Sequence, residues 1–209
     1  MTVSRRVILI GYFDEIVELI GEDSSLQIVG YTDLVQYGDC EQKYLGSDQG
    51  FLMSEIDTSI RFVVSPDSPR IRKKLFESYY QLGMGPQTVI SDKAYISKSA
   101  KLGNGSLIQR FSSVSSNSTL GNGVRLNYYA NVTHNVEIGD YSVLAPGCTV
   151  LGGSKIGNCT YIGANAVIHP KVQIGSNVII GAGANVTRNI PDNVIAYGNP
   201  AKIQRMNDA

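Results

Sequence analysis

Aliphatic side chains recur at every sixth residue of this chain from Ile90 to Val186. All seventeen positions of the series are Ile, Leu or Val, and the register never slips. A helix repeats its side-chain pattern every 3.6 residues and a strand every two, so neither element produces a period of six. The pattern instead predicts hexapeptide repeats, each of which forms one short strand and one corner.

A second period of eighteen residues predicts that three hexads make one turn of a coil. Glycine follows the aliphatic residue at Gly103, Gly121, Gly139, Gly157 and Gly175. The side chain two residues before each aliphatic position is usually small, as at Ser118, Ala130 and Cys148. We expect a three-sided prism with aliphatic side chains stacked inside and glycine at corners, where the backbone angles disfavour other residues. The predicted fold of residues 88–188 is therefore an all-β parallel β-helix.

The first part of the chain has a different pattern, in which short apolar runs alternate with helical segments. We predict strands over 6–10, 26–31 and 62–65, and helices over 13–23, 50–56 and 71–83. This alternation is typical of a small parallel α/β sheet, so residues 1–84 are assigned to a Rossmann-like domain. Residues 189–209 leave the hexad register, and we expect them to cap the last coil and prevent edge-to-edge growth.

Composition excludes several classes of function. Lys plus Arg and Asp plus Glu both number 18, so the formal charge is zero and nothing suggests nucleic-acid binding. No run of eighteen apolar residues predicts a membrane span, and the apolar run over 7–11 is too short for a signal peptide. The three cysteines are scattered, and Cys148 occupies a packing position of the prism. We therefore expect a cytoplasmic protein without disulfides.

One histidine stands where chemistry is possible. His134 falls at a predicted corner, and Gly152 follows eighteen residues later, at the same corner one coil up. An imidazole is thus expected beside a backbone N–H that no side chain covers, and acyl transfer needs such a base and such a donor. The alternative is a solvated surface histidine. A zinc enzyme would need three histidines per site, and the chain has only His134 and His169, so we expect no metal.

Two segments, THNVEIGDYSVLAPGCTVLGG and GAGANVTRNIPDNVIAYGNPAK, resemble the hexapeptide acyltransferases. The resemblance is to the branch of sialic-acid O-acetyltransferases and nucleotide-amino-sugar N-acetyltransferases, and it includes YLGS and RKKLF in the first domain. It implies a Rossmann-like domain joined to a left-handed β-helix, acetyl-CoA as acetyl donor, and a homotrimer with active sites between subunits.

The resemblance also implies roles for individual residues. His134 corresponds to the general base, and Gly152 to the residue whose N–H stabilises the oxyanion. Asn127 corresponds to an asparagine that contacts the reacting group of the sugar. Ala164 and Ala182 fall where the backbone of the family meets the CoA arm.

The same resemblance assigns the nucleotide to the first domain. Gly11 and Asp33 match the ends of the first two strands, where a nucleotide would dock. The family's glycine-rich loop is here Gly11-Tyr12-Phe13-Asp14-Glu15. Phe13 and Glu15 then take substrate-binding positions, although bulky and acidic residues there would obstruct and repel a pyrophosphate.

Two further departures affect the catalytic side. The acidic residue that usually follows the family's histidine is here Asn135, which can orient an imidazole but cannot stabilise its charged form. Val143 replaces a second histidine near the acetyl donor and is the third position assigned to cofactor binding.

These observations predict acetyl transfer from acetyl-CoA to the amino group of a nucleotide-linked 4-amino sugar. The chain has no well-placed Ser or Cys nucleophile, so direct attack in a ternary complex is expected. O-acetylation of a sialic-acid-type sugar is the nearest alternative. A catalytically dead binding or scaffold protein is the alternative from another class, because of Asn135 and the altered loop.

Overall fold

A computed structural model describes residues 4–53 and 57–208. The N-terminal unit contains β1 (Arg5–Ile10), α1 (Asp14–Gly21), β2 (Leu26–Thr32), α2 (Asp48–Leu52), β3 (Arg61–Val64) and α3 (Pro69–Gln81). Its three strands form a parallel sheet in the order β2-β1-β3. β1 carries four buried aliphatic residues in succession, as a strand covered on both faces requires.

The helices of this unit begin where capping chemistry dictates. α3 starts two residues earlier than predicted, because the Ser68 side chain accepts a hydrogen bond from the N–H of Ile71 and Pro69 fits the first turn. α2 begins after the Ser47 cap, earlier than the helix predicted over 50–56. Residues 54–56 of that prediction lie outside the described residues.

The next part of the chain is built from seventeen strands of two residues each, β4 to β20. They are Val89–Ile90, Tyr95–Ile96, Lys101–Leu102, Leu107–Ile108, Ser113–Val114, Thr119–Leu120, Arg125–Leu126, Asn131–Val132, Glu137–Ile138, Val143–Leu144, Thr149–Val150, Lys155–Ile156, Tyr161–Ile162, Val167–Ile168, Gln173–Ile174, Ile179–Ile180 and Asn185–Val186.

These strands form the three faces of a parallel β-helix. Face 1 contains β4, β7, β10, β13, β16 and β19; face 2 contains β5, β8, β11, β14, β17 and β20; face 3 contains β6, β9, β12, β15 and β18. Each residue pairs with the residue eighteen positions later, as Arg125 does with Val143. The predicted coil of three hexads is confirmed.

Each coil has three corners, which we name by order along the chain. The first corner joins face 1 to face 2, the second joins face 2 to face 3, and the third joins face 3 to face 1. In the third coil, residues 127–144, these corners are 127–130, 133–136 and 139–142. The first coil begins at residue 91, and the fourth and fifth begin at 145 and 163.

The interior of the prism is filled by the sixth-residue series. From Ile108 onward every member of the series is buried, together with small inward residues such as Ala130 and Cys148. Ile90 is 40% exposed because it belongs to the first strand and has no coil beneath it. Buried hydroxyls are satisfied by the next coil, as in the 2.7 Å bond from Ser142 Oγ to the carbonyl of Gly157.

The glycines at every eighteenth residue serve close packing between coils. None of the five lies in the left-handed region of φ. A Cβ on Gly157 would lie 2.5 Å from the carbonyl carbon of Gly175, so only hydrogen fits between the coils. The predicted reason, unfavourable backbone angles, is therefore wrong for this column. Left-handed residues stand elsewhere at the corners, and many are asparagine, as at Asn117, Asn135 and Asn177.

The C-terminal segment continues face 1. β21 (Val194–Gly198) pairs in parallel with β19 and antiparallel with β22 (Ala201–Met206). Ile190, Val194 and Ala196 join the core and cover the last coil. In the described ranges, no helix is both long and apolar enough to cross a membrane.

Candidate functional site

His134 and Gly152 face each other across two coils at the second corner. The His134 side chain is exposed, and its ring lies directly against the Cα of Gly152. A Cβ at residue 152 would lie 2.5 Å from Cε1 and 2.6 Å from Nε2 of His134. The sequence therefore places glycine at the one position where any larger residue would displace the imidazole.

The N–H of Gly152 is available to a ligand. At the third corner, turn N–H groups are capped by side chains of the next coil, as in the bonds from Asn122 N to Asp140 Oδ1 (2.7 Å) and from Asp140 N to Asn158 Oδ1 (2.8 Å). The residue above Gly152 in its own column is Pro170, which has no side-chain acceptor. Within residues 4–53 and 57–208, nothing accepts a hydrogen bond from the N–H of Gly152.

Asn135 can orient the imidazole. Its Nδ2 lies 3.1 Å from Nδ1 of His134, and its φ of 56° is a conformation that asparagine tolerates. An amide can present either of its two polar atoms. When Oδ1 faces the ring, Nδ1 carries the proton and Nε2 is left free to act as a base. Asn135 therefore has a structural role in the turn as well as a position beside the histidine.

A second group of predicted residues lies at the first corner. Asn127 is buried in the third coil, and its Oδ1 accepts a 3.0 Å bond from Nε of Arg125. This bond fixes the amide with Nδ2 directed toward Asp67, whose Oδ1 is 3.5 Å away. Ala164 and Ala182 occupy this corner in later coils, and neither backbone N–H has an acceptor in the described part of the chain. Two unpaired donors thus lie in one column.

Arg125 joins the two units of the chain, and sequence reasoning missed it. Its guanidinium bonds to Glu15 of α1 and to the carbonyl of Ser65, and its Nε is 3.0 Å from Asp67. The side chain is only 1% exposed. A signal existed in the sequence, because the other early members of its eighteen-residue column are the apolar residues Val89, Leu107 and Val143.

A second buried arginine lies beside the first. Arg72 of α3 donates to the carbonyl of Gly123 at 3.0 Å and to that of Val64 at 2.8 Å. Burial and the nearby Arg125 charge lower the pKa of Arg72 to about 9, so it stays protonated at neutral pH. Arg125 pairs with the carboxylates of Glu15 and Asp67, and the charge of Asp67 also acts on Arg72, so the junction is polar and close to balanced in charge.

The structure places the residues predicted to bind the nucleotide at one edge of the N-terminal sheet. Gly11 directly follows β1 with a φ of 77°, and a Cβ there would lie 3.0 Å from the ring of Pro66. Asp33 accepts hydrogen bonds from the backbone of Tyr12 at 2.8 Å and of Leu34 at 2.6 Å. Phe13 is exposed at the N-terminus of α1.

The N-terminus of α1 does not suit a pyrophosphate. Its first turn carries Asp14 and Glu15, which already provide negative charge at the positive end of the helix dipole. A nucleotide at this edge must therefore be held by other groups.

Val143, the third position predicted to bind the cofactor, is buried in the single chain. It lies in β13 between Arg125 and Tyr161 of the neighbouring coils and is fully buried. A side chain without exposed surface in the single chain makes no contact with a ligand there, so the assignment of Val143 to cofactor binding stays a prediction.

One chain does not bring the two groups together. His134, Asn135 and Gly152 lie at the second corner, whereas Asn127, Ala164 and Ala182 lie at the first. The strands of face 2 stand between these corners. The two halves of the predicted site therefore lie on opposite sides of one face of the prism.

Two kinds of chemistry find no support in the site. In the described ranges, no cluster of three or more His, Cys, Asp or Glu residues could hold a metal ion. Burial raises the pKa of Cys148 to about 12, so this thiol is a packing group and not a nucleophile.

Comparison with known proteins agrees with this architecture. The profile of the family described as "Bacterial transferase hexapeptide (six repeats)" matches residues 117–152 and 153–188. No curated protein matches the chain.

Solved structures match nearly the whole chain, and three of them illustrate the similarity. The acetyltransferase domain of PglB from Neisseria gonorrhoeae FA1090, in complex with acetyl coenzyme A, has a TM-score of 0.90 at 28% identity over 96% of this chain and 100% of that chain. PerB from Caulobacter crescentus, in complex with CoA and GDP-perosamine, has a TM-score of 0.88 at 27% identity over 95% of this chain and 96% of that chain. WeeI from Acinetobacter baumannii AYE has a TM-score of 0.83 at 26% identity over 96% of this chain and 100% of that chain. The predicted fold class, a Rossmann-like α/β unit followed by a left-handed β-helix, is confirmed.

Proposed function

We propose that this chain, which belongs to the hexapeptide-repeat sugar acetyltransferases, moves an acetyl group from acetyl-CoA to the amino group of a nucleotide-linked amino sugar. The observation that carries the proposal is the imidazole of His134 lying against the uncovered backbone of Gly152. Solved relatives bind acetyl-CoA, CoA and GDP-perosamine, which supports both substrate classes.

His134 and Gly152 divide the chemistry between them. In our proposal Nε2 of His134 removes the proton from the attacking amine, a task for which histidine is the side chain used most often. The N–H of Gly152 donates a hydrogen bond to the acetyl carbonyl oxygen as that oxygen gains negative charge. When bound, acetyl-CoA supplies the activated acetyl group, and no covalent acyl-enzyme is required.

The acceptor side of the site favours an amine. Asp67 lies beside Asn127, and although Arg125 pairs with one side of its carboxylate, the exposed half can still attract a positively charged substrate group. A sugar hydroxyl would gain nothing comparable from that charge. This observation favours amino-sugar N-acetylation over O-acetylation of a sialic-acid-type sugar.

The donor fits the other residues of the first corner. Ala164 and Ala182 are eighteen residues apart, so their free N–H groups lie in one column with small side chains beside them. An extended pantetheine chain needs this kind of shallow surface with spaced backbone donors. We assign these two residues to CoA binding.

A threefold arrangement of chains completes the site. A rotation about an axis parallel to the coil keeps every residue at its own height, so equal coils meet. If face 2 lines the axis, the first corner of one chain meets the second corner of the next. Asn127 then stands opposite His134, because both belong to the third coil. We therefore propose a homotrimer with its active sites between chains.

The two units take separate roles in this proposal. Residues 1–84 hold the nucleotide near Gly11, Phe13, Glu15 and Asp33, residues 88–188 transfer the acetyl group, and residues 189–209 cap the coil. Because α1 begins with two acids, the nucleotide contacts must differ from a simple helix N-terminal site. The three cysteines form no disulfide, which supports a reducing compartment such as the cytoplasm.

Acetyl transfer is tested by following thiol release from acetyl-CoA with a panel of nucleotide-linked amino sugars and, separately, with sialic-acid-type sugars. We expect release with an amino sugar, a product heavier by one acetyl group, and loss of turnover in His134→Ala. Release with a sialic-acid-type sugar alone would change the acceptor class. If no acceptor reacts and calorimetry detects no acetyl-CoA binding, the chain is a scaffold and the proposal is wrong.

A further inference from the structure

Phe111 and Tyr129 form an exposed aromatic pair at the first corner. They belong to consecutive coils, and their rings stack with centroids 5.2 Å apart and planes 15° apart. Phe111 is 53% exposed and Tyr129 is 62% exposed. Two large rings placed together in solvent are costly, which is typical of a surface that a partner covers.

The backbone under both rings is strained. Phe111 and Tyr129 each have a φ of 60°, a left-handed conformation that costs a residue with a bulky side chain about 1–2 kcal/mol. The next residues of the same column are Gly147, Asn165 and Gly183, which suit that conformation. The coil imposes this conformation at the same place of most corners, as at Tyr141 and Lys171, so it is the choice of two large exposed rings for this position that points to a function outside the single chain.

The second corner carries mostly smaller exposed residues at the same heights. In the second coil this corner carries the small exposed residues Ser116 and Asn117, and in the third coil it carries His134 and Asn135. In the threefold arrangement, Phe111 meets the second-coil corner with Ser116, and Tyr129 meets the third-coil corner with His134. Large rings on one corner thus face small residues and the histidine on the other.

We infer that Tyr129 of one chain packs against the His134–Asn135 turn of the next chain and positions the imidazole for proton transfer. Phe111 supports the Tyr129 ring from below. Asn135 carries no charge that could hold the imidazole of His134. The packed ring of Tyr129 restricts the rotation of that imidazole by contact instead. This inference rests on the proposed function, and it makes Tyr129 a positioning residue supplied in trans.

Tyr129→Asn is the informative variant, because asparagine fits the left-handed turn and leaves the coil unstrained. We expect its kcat to fall about tenfold or more, as loss of alignment at a reacting group does, with little change in the KM for acetyl-CoA. Tyr129→Phe should restore turnover, since the ring and not the hydroxyl makes the contact. Tyr80→Asn changes a similarly exposed tyrosine on α3 and should keep wild-type activity. Full activity in Tyr129→Asn would overturn the inference.

Mixed trimers separate a role in trans from a role in cis. Co-expression of Tyr129→Asn and His134→Ala chains at equal levels makes three quarters of the trimers mixed, and each mixed trimer has one site with both native residues. Activity should rise to about one quarter of wild type. If Tyr129 served the histidine of its own chain, no native pair would form and no activity would return, which would contradict the inference.

A cross-linking experiment is independent of turnover. In the double variant Tyr129→Cys/Asn135→Cys, a short bismaleimide should join chains into covalent trimers, whereas the single variants and wild type should not give them. Cross-linking of the double variant, combined with no acetyl transfer by the wild-type protein, would refute the proposed function and leave the contact standing. Acetyl transfer with neither cross-linking nor complementation would refute the contact alone.

Discussion

Gly152→Ala should lower turnover by about a hundredfold and leave the fold intact. The new Cβ would lie 2.5 Å from Cε1 of His134, and ordinary contact begins near 3.4 Å, so the ring must retreat by about 0.9 Å. Because His134 is exposed, its side chain can move away without disturbing the coil. A misplacement of about 1 Å at a catalytic group costs on the order of a hundredfold in rate. Partial covering of the N–H can add to this loss.

The matched control is Gly157→Ala, at a glycine of the third corner. Its Cβ would lie 2.5 Å from backbone atoms of Gly175 and Ser176, which cannot swing aside. We expect Gly157→Ala to lower Tm and to keep its activity at temperatures below unfolding. Gly152→Ala should keep the wild-type Tm and lose activity. Thiol release measured beside thermal unfolding distinguishes the two. Wild-type kcat in Gly152→Ala would refute the assignment of this corner to catalysis.

Four other predictions concern charge and packing. Asn135→Asp should move the acidic limb of the pH–activity profile upward by about one pH unit, because aspartate also tolerates the left-handed turn and its carboxylate stabilises the charged imidazole. If the acidic limb does not move, the side chain of residue 135 does not act on the catalytic base. Arg125→Met leaves Glu15 and Asp67 without their partner and should reduce the free energy of unfolding in urea by about 3 kcal/mol, the lower end for a broken buried pair since both carboxylates are partly exposed. Burial opposes ionisation of Glu22, but hydrogen bonds from Ser91 and Arg110 outweigh it and lower the pKa of this carboxyl. The stabilisation that the charged carboxylate provides is therefore present above about pH 4.5 and lost as pH falls further. Glu22→Gln should lower Tm by about 2–4 °C at pH 7 and by less at pH 3, and an equal loss of Tm at both pH values would contradict the ionic role of Glu22. A thiol reagent should modify Cys40 and Cys159 in the native protein and leave Cys148 unreacted until unfolding, because burial raises the pKa of Cys148 to about 12.

The sequence was most informative about the prism, for a physical reason. A coil that pairs each residue with the one eighteen positions later repeats the same environment at fixed intervals. Ile108 and Ile180 therefore face the same interior, and any change of register would expose the whole series. The alignment of His134 with Gly152 follows from the same arithmetic.

The residues that sequence reasoning missed depend on contacts between the two units. Arg125 points outward from face 1, and only the packing of α1 and the Asp67 turn against that face buries it. The burial of Val143 has the same origin in tertiary packing, which period and composition do not encode. The reason for the glycine column was also hidden, since the distance between adjacent coils decides it and not the φ of the glycine itself.

The most direct measurement is a crystal structure with CoA and an unreacted nucleotide amino sugar bound together. We predict a trimer in which the amine lies about 2.6–3.2 Å from Nε2 of His134, the CoA sulfur lies close to the N–H of Gly152, and the first corner of a neighbouring chain completes the site. An amine bound far from His134, or CoA held entirely within one chain, would contradict the account.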